Sequence, residues 1–195
     1  SGGPIAVSRD GKTLYVASTN GLVYCSVDRA QTWVRRTSIT NYTAALTTNL
    51  VIDPSDPNTL YIASTTSATT DEIFASHDGG VAWTSVRSVY PASSYVFELA
   101  ISPSNPRQLW AAENDGLWMS NDQGATWTNV LTTPVDAVAV DPVNPAVAYA
   151  GTGYGQVFRT ADSVGQWTDV TGTLNAGQIK TLAVNPAQNG RILGV

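Results

Sequence analysis

Acid–base chemistry in this chain falls to its carboxylates. There are fifteen Asp and Glu among 195 residues, against one histidine, His77, and one cysteine, Cys25. Two carboxyl groups about 5 to 10 Å apart across a cleft are what hydrolysis of a glycosidic bond requires. Glu113 and Asp115, in the short segment "ENDG" (113–116), and Asp136, in "TTPVDA", are the candidate catalytic acids. Asp71, Glu72 and Glu98 lie in comparable segments. One histidine and one cysteine cannot assemble a structural zinc site. The chain also has no D-x-D-x-D-G calcium loop, and "GTGYGQ" (151–156) leads into a strand rather than a phosphate-binding helix. No metal and no cofactor is implied.

A second set of acids recurs. "SVDRAQTW" (26–33), "SHDGGVAW" (76–83), "SNDQGATW" (120–127) and the decayed "TADSVGQW" (160–167) place Asp28, Asp78, Asp122 and Asp162 at intervals of 50, 44 and 40 residues. A catalytic acid is needed once or twice per protein, not once per repeat, so these four read as turn residues. Ser26, Ser76, Ser120 and Thr160 would bond the turn together with the acids. Gly80 and Gly124 take the left-handed position, for which the first copy offers Ala30 and the fourth Val164. Trp33, Trp83, Trp127 and Trp167 fold over the turn into the space between sheets.

The elements around these turns repeat as well. An apolar–aromatic strand precedes each copy, as in Leu117-Trp118, and a further strand follows it, as in "TWTNVL" (126–131). Upstream stand "TLYVAS" (13–18), "TLYIAS" (59–64), "QLWAAE" (108–113), "VAYAGT" (147–152) and "RILGV" (191–195). Before those come "IAVSRDG" (5–11), "LVIDPSDPN" (50–58), "LAISPSNPR" (99–107), "VAVDPVNPA" (138–146) and "LAVNPAQNG" (182–190), small β-branched strands ending in Pro and Asn/Asp turns. No segment shows a sustained helical period. The chain is therefore expected to be all-β, a β-propeller of four-stranded antiparallel blades in a single domain. Its blades lie at about 4–38, 48–89, 97–132 and 135–173, with half of a fifth at 178–195.

The S-x-D-x-G-x-T-W pattern resembles the Asp-box, or bacterial neuraminidase repeat, of sialidases, sortilin-type receptors and the propeller glycoside hydrolases that cleave xyloglucan. "DPSDPNTLYIAS" is most similar to the last group. A sialidase would need an F/Y-R-I-P motif near the start, which this sequence lacks. The resemblance implies that ligands meet the face formed by the second-to-third-strand turns and the links between blades. Tyr42, Tyr90, Tyr95 and Tyr154 fall in those segments and are candidate sugar platforms.

Charged residues make up 13% of the chain and the net charge is −5, which leaves no basic footprint for nucleic acid. No apolar run is long enough to span a membrane, and "SGGPIAVSRDG" has no signal-peptide pattern. The hydroxyl-rich, lysine-poor composition points to an extracellular or cell-surface protein. Asn41, in Asn41-Tyr42-Thr43, is an acceptor sequon. A half-blade leaves an unpaired strand edge, expected to pair with the remainder of a longer chain or with a second copy as a homo-oligomer or filament. No catalytic pair stands out against the turn acids. The functional expectation is accordingly a non-catalytic extracellular scaffold, structural or carbohydrate-binding and able to self-assemble; the alternative is a fragment of a propeller glycoside hydrolase resembling the xyloglucan-cleaving enzymes.

Overall fold

The computed structural model describes residues 3–18, 21–37, 39, 46–67, 70–88, 95–186 and 192–194, and all statements below concern these. Asn41, Tyr42 and Tyr90 lie outside them. The chain is all-β, built as β-propeller blades. Four sheets each hold four antiparallel strands in sequence order, and two further strands pair in a fifth. It divides into two compact units, Ser1–Val96 and Phe97–Val195.

The first unit contains two sheets. One comprises β1 (Ile5–Val7), β2 (Leu14–Ala17), β3 (Val23–Ser26) and β4 (Val34–Arg35). The other comprises β5 (Leu46–Ile52), β6 (Leu60–Ser67), β7 (Thr70–Ser76) and β8 (Thr84–Ser88). They share one core, in which Tyr15, Ala17 and Val23 of the first meet Leu50, Leu60 and Ile62 of the second.

In the second unit, β9 (Val96–Ile101, whose first residue closes the first unit), β10 (Leu109–Glu113), β11 (Gly116–Ser120) and β12 (Thr128–Leu131) form one sheet. β13 (Ala137–Val140), β14 (Ala148–Gly151), β15 (Val157–Thr160) and β16 (Trp167–Asp169) form the next, followed by β17 (Leu182–Val184) and β18 (Ile192–Gly194). One core joins Trp110, Leu117 and Met119 to Val138, Ala148 and Ala150; another joins Ala139, Tyr149 and Val157 to Ile179 and Leu182.

Burial follows strand order within a sheet. The second strands β10 and β14 are buried at every residue, and apart from Glu113 their sequences are apolar rather than alternating. Outer strands such as β4 are exposed and correspondingly polar or short. The turns leaving β5 and β13 are closed by their own acids. Asp53 Oδ1 accepts the Ser55 and Asp56 N–H groups at 2.7 and 3.2 Å, and Asp141 Oδ1 accepts those of Val143 and Asn144 at 2.9 Å each.

The four Ser/Thr-x-Asp turns share a hydrogen-bond scheme. Ser26, Ser76, Ser120 and Thr160 each donate a hydroxyl to the aspartate two residues on, at 2.7, 2.8, 2.8 and 2.9 Å. In three turns the serine Oγ also accepts the N–H four residues on, from Ala30, Gly80 and Gly124. Those three turns hold two consecutive left-handed residues: Arg29 and Ala30, Gly79 and Gly80, Gln123 and Gly124. The fourth turn has only Ser163 in that region and closes instead through the Gly165 N–H on Asp162 at 3.0 Å.

The tryptophans do not all behave alike. Trp83 packs on the shared core of the first unit, and Trp167 meets Trp110 edge-to-face at 6.2 Å. Trp127 is half-buried and donates its Nε1–H to the Gly124 carbonyl at 3.0 Å. Trp33 departs from the expectation of an intersheet position, being 41% exposed. Trp167, through its contact with Trp110, packs on the sheet before its own.

Candidate functional site

The repeated acids fix their own protonation locally. Thr32 and Thr126, four residues beyond Asp28 and Asp122, donate both hydroxyl and N–H to the carboxylates, and the hydroxyl bonds are 2.6 Å. The threonine hydroxyl does most to hold Asp28 and Asp122 down at about 2. Asp78 and Asp162 are lowered chiefly by backbone N–H groups, those of Ala82 and Gly165. Each of the four acids is held in its own turn, and none is poised to receive a proton near neutral pH.

The other candidate acids lie at the opposite ends of the strands, where second strands turn into third strands and where sheets are linked. Glu113 ends β10 and is completely buried. Asp115, in the β10–β11 turn, accepts the Trp118 Nε1–H at 3.0 Å and is tied to that indole. In the first unit, Asp71 at the start of β7 is buried and accepts the Val96 N–H at 2.8 Å. Tyr95 is 45% exposed, and Tyr154, in the β14–β15 turn, is 77% exposed.

Asp136 has a different setting. Its N–H donates to the Gly151 carbonyl at 2.8 Å and that of Val135 to the Glu113 carbonyl at 3.1 Å, anchoring the link before β13. Its side chain opens into a depression of about 230 Å³ lined by Phe97, Asp136, Gln178 and Lys180. Gln178 Nε2 donates to Asp136 Oδ2 at 2.6 Å. Phe97, Asp136 and Lys180 each stand two residues before the repeated apolar triplets "LAI", "VAV" and "LAV", at the same register position of three successive sheets. Sequence reasoning passed over Phe97, Gln178 and Lys180. The signal was available by extending the triplet alignment two residues upstream.

The link that supplies Gln178 and Lys180 lies close to β14 and β15. The Ile179 N–H donates to the Thr152 carbonyl at 3.0 Å, and its side chain is buried against Gly151, where a Cβ would collide with it. With Ile179 turned inward, its neighbours Gln178 and Lys180 are exposed.

Next to Phe97 in sequence, Glu98 accepts the Val138 N–H on Oε2 at 2.8 Å. Burial pushes its carboxyl up to about 7, against the opposing pull of that N–H. An aromatic ring, a carboxylate, an amide and an ammonium around one opening can recognise hydroxylated ligands. Among the described residues no group of three or more His, Cys, Asp or Glu is placed to hold a metal ion. No helix among them is long and apolar enough to cross a membrane.

Comparison with known proteins places this geometry in the propeller class. No family profile matches the chain. It is 31% identical over 144 residues to a probable oligoxyloglucan-reducing end-specific xyloglucanase of Neosartorya fischeri, covering 65% of this chain and 18% of that protein. It is 30% identical over 148 residues to an oligoxyloglucan-reducing end-specific xyloglucanase of Emericella nidulans, with the same shares of 65% and 18%. The chain thus spans about a fifth of the length of these relatives. Among solved structures it is similar to the GH74 enzyme of Niastella koreensis, with a TM-score of 0.78 at 16% identity, covering 99% of this chain and 33% of that one. The expectation of a non-catalytic scaffold is corrected by these matches, because the similar proteins are xyloglucan-cleaving enzymes. The expectation had rested on turn acids, which report the fold and leave activity undetermined.

Proposed function

We propose that this chain is part of an Asp-box propeller glycoside hydrolase acting outside the cell on xyloglucan or a related β-glucan. The observation that carries the reading is the 31% identity over 144 residues to a xyloglucanase. The four Ser/Thr-x-Asp turns supply the Asp-box character. A polysaccharide too large to cross a membrane would be met outside the cell, which supports the extracellular placement.

The geometry favours the same reading. Asp136 and Asp115 are carboxylates at the link and turn ends of the sheets, and Glu98, raised to about 7, has the affinity for protons that a glycosidase acid needs. The test is reducing-sugar release from xyloglucan by the full-length protein at pH values on either side of 7. Release from xyloglucan in preference to unbranched β-glucan or a sialoside supports the proposal. No release from any β-glucan overturns it.

A further inference from the structure

We propose that the depression of Phe97, Asp136, Gln178 and Lys180 is a subsite for a single neutral hexose ring of a β-linked glucan. It rests on the functional reading above and names the ligand of one place within it. The depression measures about 230 Å³ and has a single aromatic wall, Phe97, which offers a face to one ring.

The chemistry of the four walls selects the ligand. Phe97 is 45% exposed on the wall of the opening, an apolar surface that a pyranose can cover with its C–H face. Asp136 is preorganised, since Gln178 Nε2 occupies Oδ2 while Oδ1 accepts no hydrogen bond among the described residues. A sugar hydroxyl can donate to Oδ1, and the Lys180 ammonium can donate to a second sugar oxygen. One carboxylate and one ammonium leave the opening without net charge, so a charged ligand gains one attraction and meets one repulsion. A hydroxyl both donates and accepts, and satisfies both groups.

Gly153 supplies a separate observation. A Cβ there would stand 3.1 Å from Asp136 Oδ2, so the absent side chain keeps the rim beside the carboxylate clear. Gly153 is not in the left-handed region, so its backbone does not itself demand glycine.

The test is calorimetric titration of the full-length protein with cellotetraose, with galacturonic acid tetramer and inorganic phosphate as charged probes. Phe97→Ala and Asp136→Asn should each weaken cellotetraose about tenfold or more, Phe97→Trp should restore affinity, and Gly153→Val should reduce it, all without change in melting temperature. Wild-type affinity in both Phe97→Ala and Asp136→Asn overturns the subsite, as does tighter binding of either charged probe at this site. If xyloglucan is hydrolysed while these variants bind and turn over as wild type, the subsite fails and the functional proposal stands. If the variants lose cellotetraose but the wild type hydrolyses no β-glucan, the subsite stands and the functional proposal fails.

Discussion

Glu98, on β9, accepts the backbone N–H of Val138, on β13, at 2.8 Å, tying the first strands of two successive sheets together through a carboxyl that burial raises to about 7. Val138 follows Asp136 by two residues, so the contact also fixes the strand that carries the open acid of the depression.

The Glu98 carboxyl titrates at about 7 in the fold and at its ordinary 4.5 when unfolded. A group raised in this way contributes its full stabilisation below about 4.5, and loses it as pH rises through about 7. Glu98→Gln cannot ionise, yet keeps an acceptor for Val138. Its melting temperature relative to wild type should therefore rise between about pH 5 and pH 8. A difference that is constant across that range would show that burial does not govern this carboxyl.

Asp28 and Asp122 titrate the other way. Each falls from an ordinary 3.8 to about 2, so the stability they provide is present above 3.8 and is lost as pH falls through about 2. The double variant Asp28→Asn/Asp122→Asn should melt lower than wild type at pH 6 but lose less on acidification from about pH 4 to pH 2. Parallel acid limbs in thermal melts would refute this assignment.

Ser120 is buried, donates to Asp122 and accepts the Gly124 N–H at 2.8 Å. Ser120→Ala leaves that buried N–H without its partner and should cost about 1 to 3 kcal/mol in denaturant unfolding. The corresponding Thr160→Ala should cost less, because Thr160 bonds Asp162 but the fourth turn closes through Gly165.

Trp110 is fully buried, edge-on to Trp167 at 6.2 Å and hydrogen-bonded through Nε1 to Gln108 Oε1 at 3.2 Å. Trp110→Ala should cost about 3 to 5 kcal/mol through the cavity it leaves. The half-buried Trp127 and the exposed Trp33 should each cost less when replaced by alanine, a ranking that chemical denaturation of the three variants would check.

Ala30 occupies a left-handed position at φ 67°, where a Cβ is strained by about 1 to 2 kcal/mol. Ala30→Gly relieves the strain at some cost in chain entropy and should raise the melting temperature slightly. A lowered melting temperature would mean that the turn is held open by something other than its backbone.

The recurring aspartates, the Pro and Asn/Asp bends and the apolar triplets were legible in the sequence because each acts within a few residues of itself. Asp122 finds Ser120 and Thr126, and Asp53 finds Ser55, whatever the rest of the chain does. Strand order followed from the same local signals, since consecutive strands joined by short turns pair with one another. What only the tertiary structure decided involves residues some forty positions apart. It buried Glu113 completely, brought Glu98 to Val138, and gathered Phe97, Asp136 and Lys180 from three sheets around one opening. Whether a carboxylate faces water or a strand depends on the sheet packed against it, and that packing is a property of the stacked blades rather than of any one repeat.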